Sequence, residues 1–222
     1  CVPAREVGGD YYDFFPLDDH RVGILIADVS GKGTSAALYM AELKGLMLSL
    51  SQIHESPRRL LVEVNRIIAQ NLDSRSFITM TYAVVDLRAR TMTCSRAGHC
   101  PLIYVPGPDS VSRAAQVLTP EGMVLGLQFD LGDTFDRLLE EVTLPLSRGD
   151  LFVLYTDGIS EAMNPQGDCF GDQRLVELAQ REAGEHAPAR RAALQRAQQA
   201  PQVQDHPEHG DPRQVSIGQL GD

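Results

Sequence analysis

The chain lacks any apolar run near the ~18–20 residues that a membrane span needs, and it opens without a secretory leader pattern. It also lacks an excess of basic charge. Thirty acidic residues outweigh 20 basic ones, for a formal charge of −10. That balance argues against nucleic acid or an anionic membrane as the main partner, since both call for a basic face. Cysteine is scarce, at four residues: Cys1, Cys94, Cys100 and Cys169. None forms a Cys-x-x-Cys pair, so neither a disulfide framework nor a zinc site is expected. Unpaired cysteines point to a reducing compartment, hence a cytoplasmic location. What is present is a 222-residue chain, 43% apolar, enough for a single globular domain with a real core. The abrupt start at Cys1, with strand-like sequence almost at once, suggests the C-terminal part of a longer protein.

Periodicity divides the chain. The apolar run "RVGILIADVS", residues 21–30, reads as a buried strand, with "VGGDYYDFFPL" before it as a hairpin partner. From Thr34 to Ile53 the apolar spacing becomes helical, and Thr34 or Ser35 can cap that helix. A second helix runs from Pro57 to Leu72, with Ser56 as its N-cap. Strands are expected at 78–87 and 91–96, in "PLIYVPG", in "FDRLLEEVTLPL" and in "DLFVLYTD". "GDQRLVELAQREA" and "PARRAALQRAQQ" read as helices. Residues 200–222 turn polar and read as a degenerate end, with "VSIGQL" a poor final strand. Strands grouped apart from helices indicate an α+β fold with antiparallel sheets.

Three aspartates share one setting. Asp10 stands in a glycine turn before an aromatic strand, and Asp28 and Asp157 each end an apolar run and lead into glycine. A carboxylate at a strand end has rigid support, and small neighbours let a ligand approach closely. Several such carboxylates would repel each other unless a cation joined them, and oxygen-only ligands favour Mg²⁺ or Mn²⁺. The competing explanation is that each aspartate simply begins a turn. Two further strings fail as motifs. "SGKGTS" is not a P-loop, because Ile26 stands where the first glycine belongs and Gly33 follows Lys32. "GGDYY" is similar to the signature of diguanylate cyclases, but Tyr11 replaces its second acid.

Read together, eight strings resemble the SpoIIE-type branch of the metal-dependent, type 2C-like serine/threonine protein phosphatases. They are "PAREVGGDYYDFF", "ADVSGKGTSAALYMA", "LVEVNRII", "FITMTYAVVDL", "RAGHCPLIYV", "GMVLGL", "SRGDLFVLYTDGISEAMN" and "FGDQRL", in that family's order, over about residues 3–178. The resemblance implies an αββα sandwich: two antiparallel sheets face to face, with helices outside. It implies two Mn²⁺ or Mg²⁺ ions at one edge. Asp28 would bridge them, the Val29 backbone carbonyl would bind one, Asp10 would bind or orient a metal water, and Asp157 would bind from the far side. A hydroxide held between the ions would attack the phosphoserine or phosphothreonine phosphorus directly. Cys94, Cys100 and Cys169 would then be packing residues. His99 is a candidate polar group or a structural turn residue, and Lys32 a candidate phosphate contact. The family's closing motif is the point of departure. Asp211 can stand for its first aspartate, the fourth metal carboxylate, but Pro212 replaces the second and Gln214 the threonine.

The resemblance further implies a small phosphorylated regulatory protein of the anti-sigma-factor-antagonist type as substrate, with a sensor or receiver domain upstream. The alternatives are a catalytically weakened binding module and a nucleotide cyclase. The pattern leaves the oligomeric state open, a homodimer through the two early helices included.

Overall fold

The computed structural model describes residues 9–31, 33–108, 110, 114–127 and 133–185. Among these described residues, eight strands and five helices follow in chain order: β1 (Asp10–Pro16), β2 (Arg21–Val29), α1 (Thr34–Leu50), α2 (Pro57–Ile68), β3 (Ile78–Asp86), β4 (Thr91–Ala97), β5 (Leu102–Val105), β6 (Gln116–Leu118), α3 (Thr134–Leu138), β7 (Val142–Pro145), β8 (Leu151–Val153), α4 (Asp157–Ser160) and α5 (Asp172–Glu185). One sheet has the order β1-β2-β3-β4-β7 and the other β6-β5-β8, and every strand pair is antiparallel. The α+β, αββα architecture implied by the sequence is the one observed.

Alternation along β2 shows how the layers form. Leu25, Ala27 and Val29 are buried on one face, with Leu43 and Met47 of α1 and Leu60, Leu61 and Val64 of α2. Ile24, Ile26 and Asp28 point the other way. A second cluster, Ala83, Met92, Cys94 and Leu102, joins the two sheets. A third packs Ile103 and Val105 of β5 on Leu175 and Ala179 of α5. Gly23 makes one close approach possible, because a Cβ there would sit 2.4 Å from the Tyr82 hydroxyl.

Several local expectations are corrected. Helix α1 is capped by Gly33, at φ 90°, with no side-chain cap, rather than by Thr34 or Ser35. Ser56 does cap α2, accepting from the Arg59 backbone N–H at 3.2 Å. "FDRLLEEVTLPL" is not one strand. Its first half is the single turn α3, where Phe135 and Leu139 bury with helical spacing. β8 stops at Val153, so Asp157 does not end a strand but opens α4. Cys94 is buried and Cys100 half-buried, but Cys169 is exposed and is not a packing residue. Cys1, Lys32, Asp211, "PARRAALQRAQQ" and "VSIGQL" lie outside the described residues.

Candidate metal centre

The hairpin β1–β2 sets the first two carboxylates. Its register places Asp10 opposite Asp28, so both project from the same face at the same sheet edge. Gly9 is required there. A Cβ on it would lie 2.5 Å from the Val29 carbonyl oxygen and 3.0 Å from Asp28 Oδ1. Its own carbonyl accepts from the Val29 N–H at 3.2 Å. The bare glycine thus clears the space in which the Asp28 carboxylate and the Val29 carbonyl meet.

The third carboxylate arrives from the other sheet. After β8 the chain crosses to the edge of the first sheet, and Thr156 Oγ1 donates to Asp10 Oδ2 at 3.3 Å. Asp157 follows directly. Burial, then the neighbouring charges of Asp10 and Asp157, push the Asp28 carboxyl up to about 6. The structure therefore brings Asp10, Asp28 and Asp157 into mutual electrostatic reach. It does not draw them into a finished cage: among the described residues, no three His, Cys, Asp or Glu side chains stand close enough together to grip an ion.

The donor set suits a hard divalent cation all the same. Its groups are carboxylate and carbonyl oxygens, and the like-charge repulsion felt by Asp28 is the strain a cation relieves. A cleft of about 210 Å³ opens between Asp28, Thr79, His99 and Asp157. A second, of about 340 Å³, opens on the far side of Asp10, towards Tyr12 and Ile159. A roomier cleft of about 690 Å³ lies among Val85, Arg90, Arg148, Asp150 and Phe152, at strand ends opposite the three carboxylates.

His99 is more deeply placed than a turn residue. Only 5% of it is exposed, and its Nδ1 lies 2.9 Å from Thr79 Oγ1. Burial holds its imidazole down at about 4, so the ring is neutral near pH 7. The sequence held one signal for this. "RAGHCP" leaves an apolar strand through a glycine turn, as the aspartates do. Thr79 and Thr156 gave no signal, because a threonine in a strand is ordinary.

A family model described as stage II sporulation protein E (SpoIIE) matches residues 18–211. The chain belongs to the SpoIIE family. Among curated SpoIIE relatives, it is 38% identical over 167 residues to the phosphoserine phosphatase RsbU of Bacillus subtilis, covering 75% of this chain and 47% of that protein. It is 27% identical to RsbP of the same organism, also a phosphoserine phosphatase, covering 75% of this chain and 39% of that protein. The chain thus spans less than half the length of either relative. Among solved structures, the SiaA-PP2C domain of Pseudomonas aeruginosa superposes with a TM-score of 0.66 at 22% identity, covering 93% of this chain and 79% of that one. The RsbU and RsbW domains of a Mycobacterium tuberculosis protein give 0.65 at 25% identity, covering 85% and 49%. The SpoIIE sequence therefore carries a PP2C-type phosphatase fold.

Proposed function

We propose that this domain is a metal-dependent protein serine/threonine phosphatase. In this reading Asp10, Asp28, the Val29 carbonyl and Asp157 hold two Mn²⁺ or Mg²⁺ ions, with Asp211 a further candidate ligand. The observation that carries it is the meeting of Asp10 and Asp28, paired across adjacent strands of one sheet, with the Asp157 segment that follows the other sheet and is fastened to Asp10 through Thr156. Bound ions would supply an activated water at neutral pH and offset charge on the phosphoryl oxygens. The chain's own part is to present the carboxylates. β1 and β2 fix Asp10 against Asp28, Gly9 keeps the Val29 carbonyl open to the site, and Thr156 fastens the Asp157 segment to Asp10. A relative solved in complex with magnesium, RsbX, shares the fold at a TM-score of 0.54 and supports the choice of ion.

RsbU and RsbP, named phosphoserine phosphatases, support a phosphoserine or phosphothreonine on a small regulatory protein as substrate. The occurrence of RsbU and RsbW domains in one chain supports a regulatory protein as partner, which we take to be of the anti-sigma-factor-antagonist type. An upstream sensor or receiver domain and a cytoplasmic setting belong to the same proposal. Among the described residues no helix is long and apolar enough to cross a membrane.

The test is Mn²⁺-dependent hydrolysis of p-nitrophenyl phosphate. Wild type should turn over, and Asp28→Ala should lose at least about 100-fold. Wild-type turnover no higher than that of Asp28→Ala would instead favour the weakened binding module, towards which Pro212 and Gln214 point.

A further inference from the structure

At the end of the sandwich remote from Asp28, the core between the sheets runs out into the open cleft of about 690 Å³. Val85 marks the separation. It pairs with Val22, at the far end of β2, and stands roughly 20 Å along β3 from Thr79, the partner of Asp28. Val85, Leu146 and Phe152 floor the cleft and pack on the cluster of Ala83, Met92, Cys94 and Leu102. Phe152 is held by stacking on Tyr104, with ring centroids 4.8 Å apart and planes 11° from parallel. Leu87, 63% exposed, forms an apolar lip.

Two turns carry the rim. Arg90 closes the β3–β4 turn, and Arg148 sits in the β7–β8 turn. The turns are joined, since the Leu146 N–H donates to the Arg90 carbonyl at 2.8 Å. Asp150 pins the second turn. Its Oδ2 accepts from the Ser147 N–H at 2.8 Å and the Tyr104 hydroxyl at 3.2 Å, and its Oδ1 from the Gly107 N–H at 2.7 Å. That carboxylate is thus engaged by neutral donors rather than by the arginines. Among the described residues neither guanidinium has a hydrogen-bond or ion-pair partner. Two guanidiniums against one engaged carboxylate leave the cleft positive, in a chain of formal charge −10. Arg90 also holds left-handed backbone, at φ 54°, and is the sole non-glycine to do so among the described residues. Glycine or asparagine would sit there at lower cost, so an arginine at that position points to a use for its side chain.

We propose that this cleft is a binding site for a small organic anion. The two arginines take its carboxylate, phosphate or sulfonate group, and its apolar body lies on Phe152, Val85 and Leu146. Guanidinium suits such head groups in shape as well as charge, and the cleft has the volume of a small-molecule pocket. Floor and rim are fixed before binding, so little ordering opposes it. An inorganic anion would leave the floor wet, and an uncharged apolar molecule would leave the arginines unused. The site lies apart from the three aspartates and does not depend on their holding metal.

The test is fluorescence titration of the whole chain with anilinonaphthalene sulfonate, an aromatic anion, beside its uncharged analogue phenylnaphthylamine. Arg90→Gly, which suits the backbone at φ 54°, and Arg148→Gln should each weaken sulfonate binding about threefold, and together about tenfold, as exposed charge contacts do. Amine binding should stay at the wild-type value. Arg90→Gly carries the test if Arg148→Gln misfolds. Arg88→Gln is the control, and its sulfonate affinity should match wild type. Arg88 lies in the same turn as Arg90, but its Nη2 is 2.9 Å from His20 Nε2 and it does not line the cleft. Octanoate should displace the sulfonate, and inorganic sulfate at equal ionic strength should not. Sulfonate affinity within about twofold of wild type in the double variant, against the tenfold expected, would overturn the site. So would an equal loss in Arg88→Gln, or an equal loss of amine binding. Displacement by sulfate as readily as by octanoate would reduce the cleft to a bare anion contact and overturn it as well.

Discussion

At the scale of single residues, Asp28 and His99 store opposite electrostatic costs. The Asp28 carboxyl is raised from 3.8 to about 6. Between those values the folded protein binds the extra proton, so stability falls as pH rises through that window, and the penalty is complete above about 6. The group is partly exposed, so solvent screening reduces the cost to about 1–2 kcal/mol. Asp28→Asn should therefore stabilise the EDTA-treated protein by about that amount at pH 7.5, and by nothing below pH ~3.5. Urea unfolding at the two pH values checks this, and the same variant should be inactive. His99 has the reverse sign. Its folded value is about 4 against 6.5 unfolded, so the unfolded chain binds more protons in that interval. Stability is intact above about 6.5 and lost as pH falls towards 4, by about 2–3 kcal/mol. Unfolding of His99→Gln across that range should show a flatter acid limb than wild type.

At the scale of elements, β1 presents two unequal faces. Phe15 is 2% exposed and packs in the core beneath α1, whereas Phe14 is 60% exposed on the side where the three-stranded sheet leaves β1 uncovered. Phe15→Ala should cost about 3–5 kcal/mol, and Phe14→Ala below about 1 kcal/mol, as read from urea midpoints. Equal costs would mean that the hairpin register is wrong by one residue. At α2, Ser56→Ala removes the cap bond to Arg59 and should cost about 1 kcal/mol. The elements also show what a sequence displays and what it conceals. The β1–β2 hairpin was legible because the short Ile- and Val-rich run of β2 ends in a glycine-bearing turn and follows a second strand-like segment. α3 was not, because one helical turn is too short to separate its spacing from that of a strand. β6 was missed because Gln116 and Val117 are exposed at a sheet edge and show no apolar pattern.

At the scale of the whole molecule, the site is a product of topology. Asp10 and Asp28 come from adjacent strands of one sheet, and Asp157 opens the short helix that follows the last strand of the other. Sequence pattern singled out all three, since each combined a carboxylate, a strand end and glycine. It could not show that the Asp157 segment is carried across and fastened to Asp10 through Thr156, because that contact spans 146 positions. Nor could it show that His99, read as a candidate polar group or a turn residue, is buried against Thr79 and lines the cleft with Asp28 and Asp157. The place of Asp211 lies beyond the described residues. Everything claimed for the domain depends on divalent ions settling among these oxygens. Anomalous diffraction from Mn²⁺-grown crystals tests that most directly. The account predicts two peaks within bonding range of Asp28, flanked by Asp10, the Val29 carbonyl and Asp157. Peaks elsewhere, with none at Asp28, would contradict it.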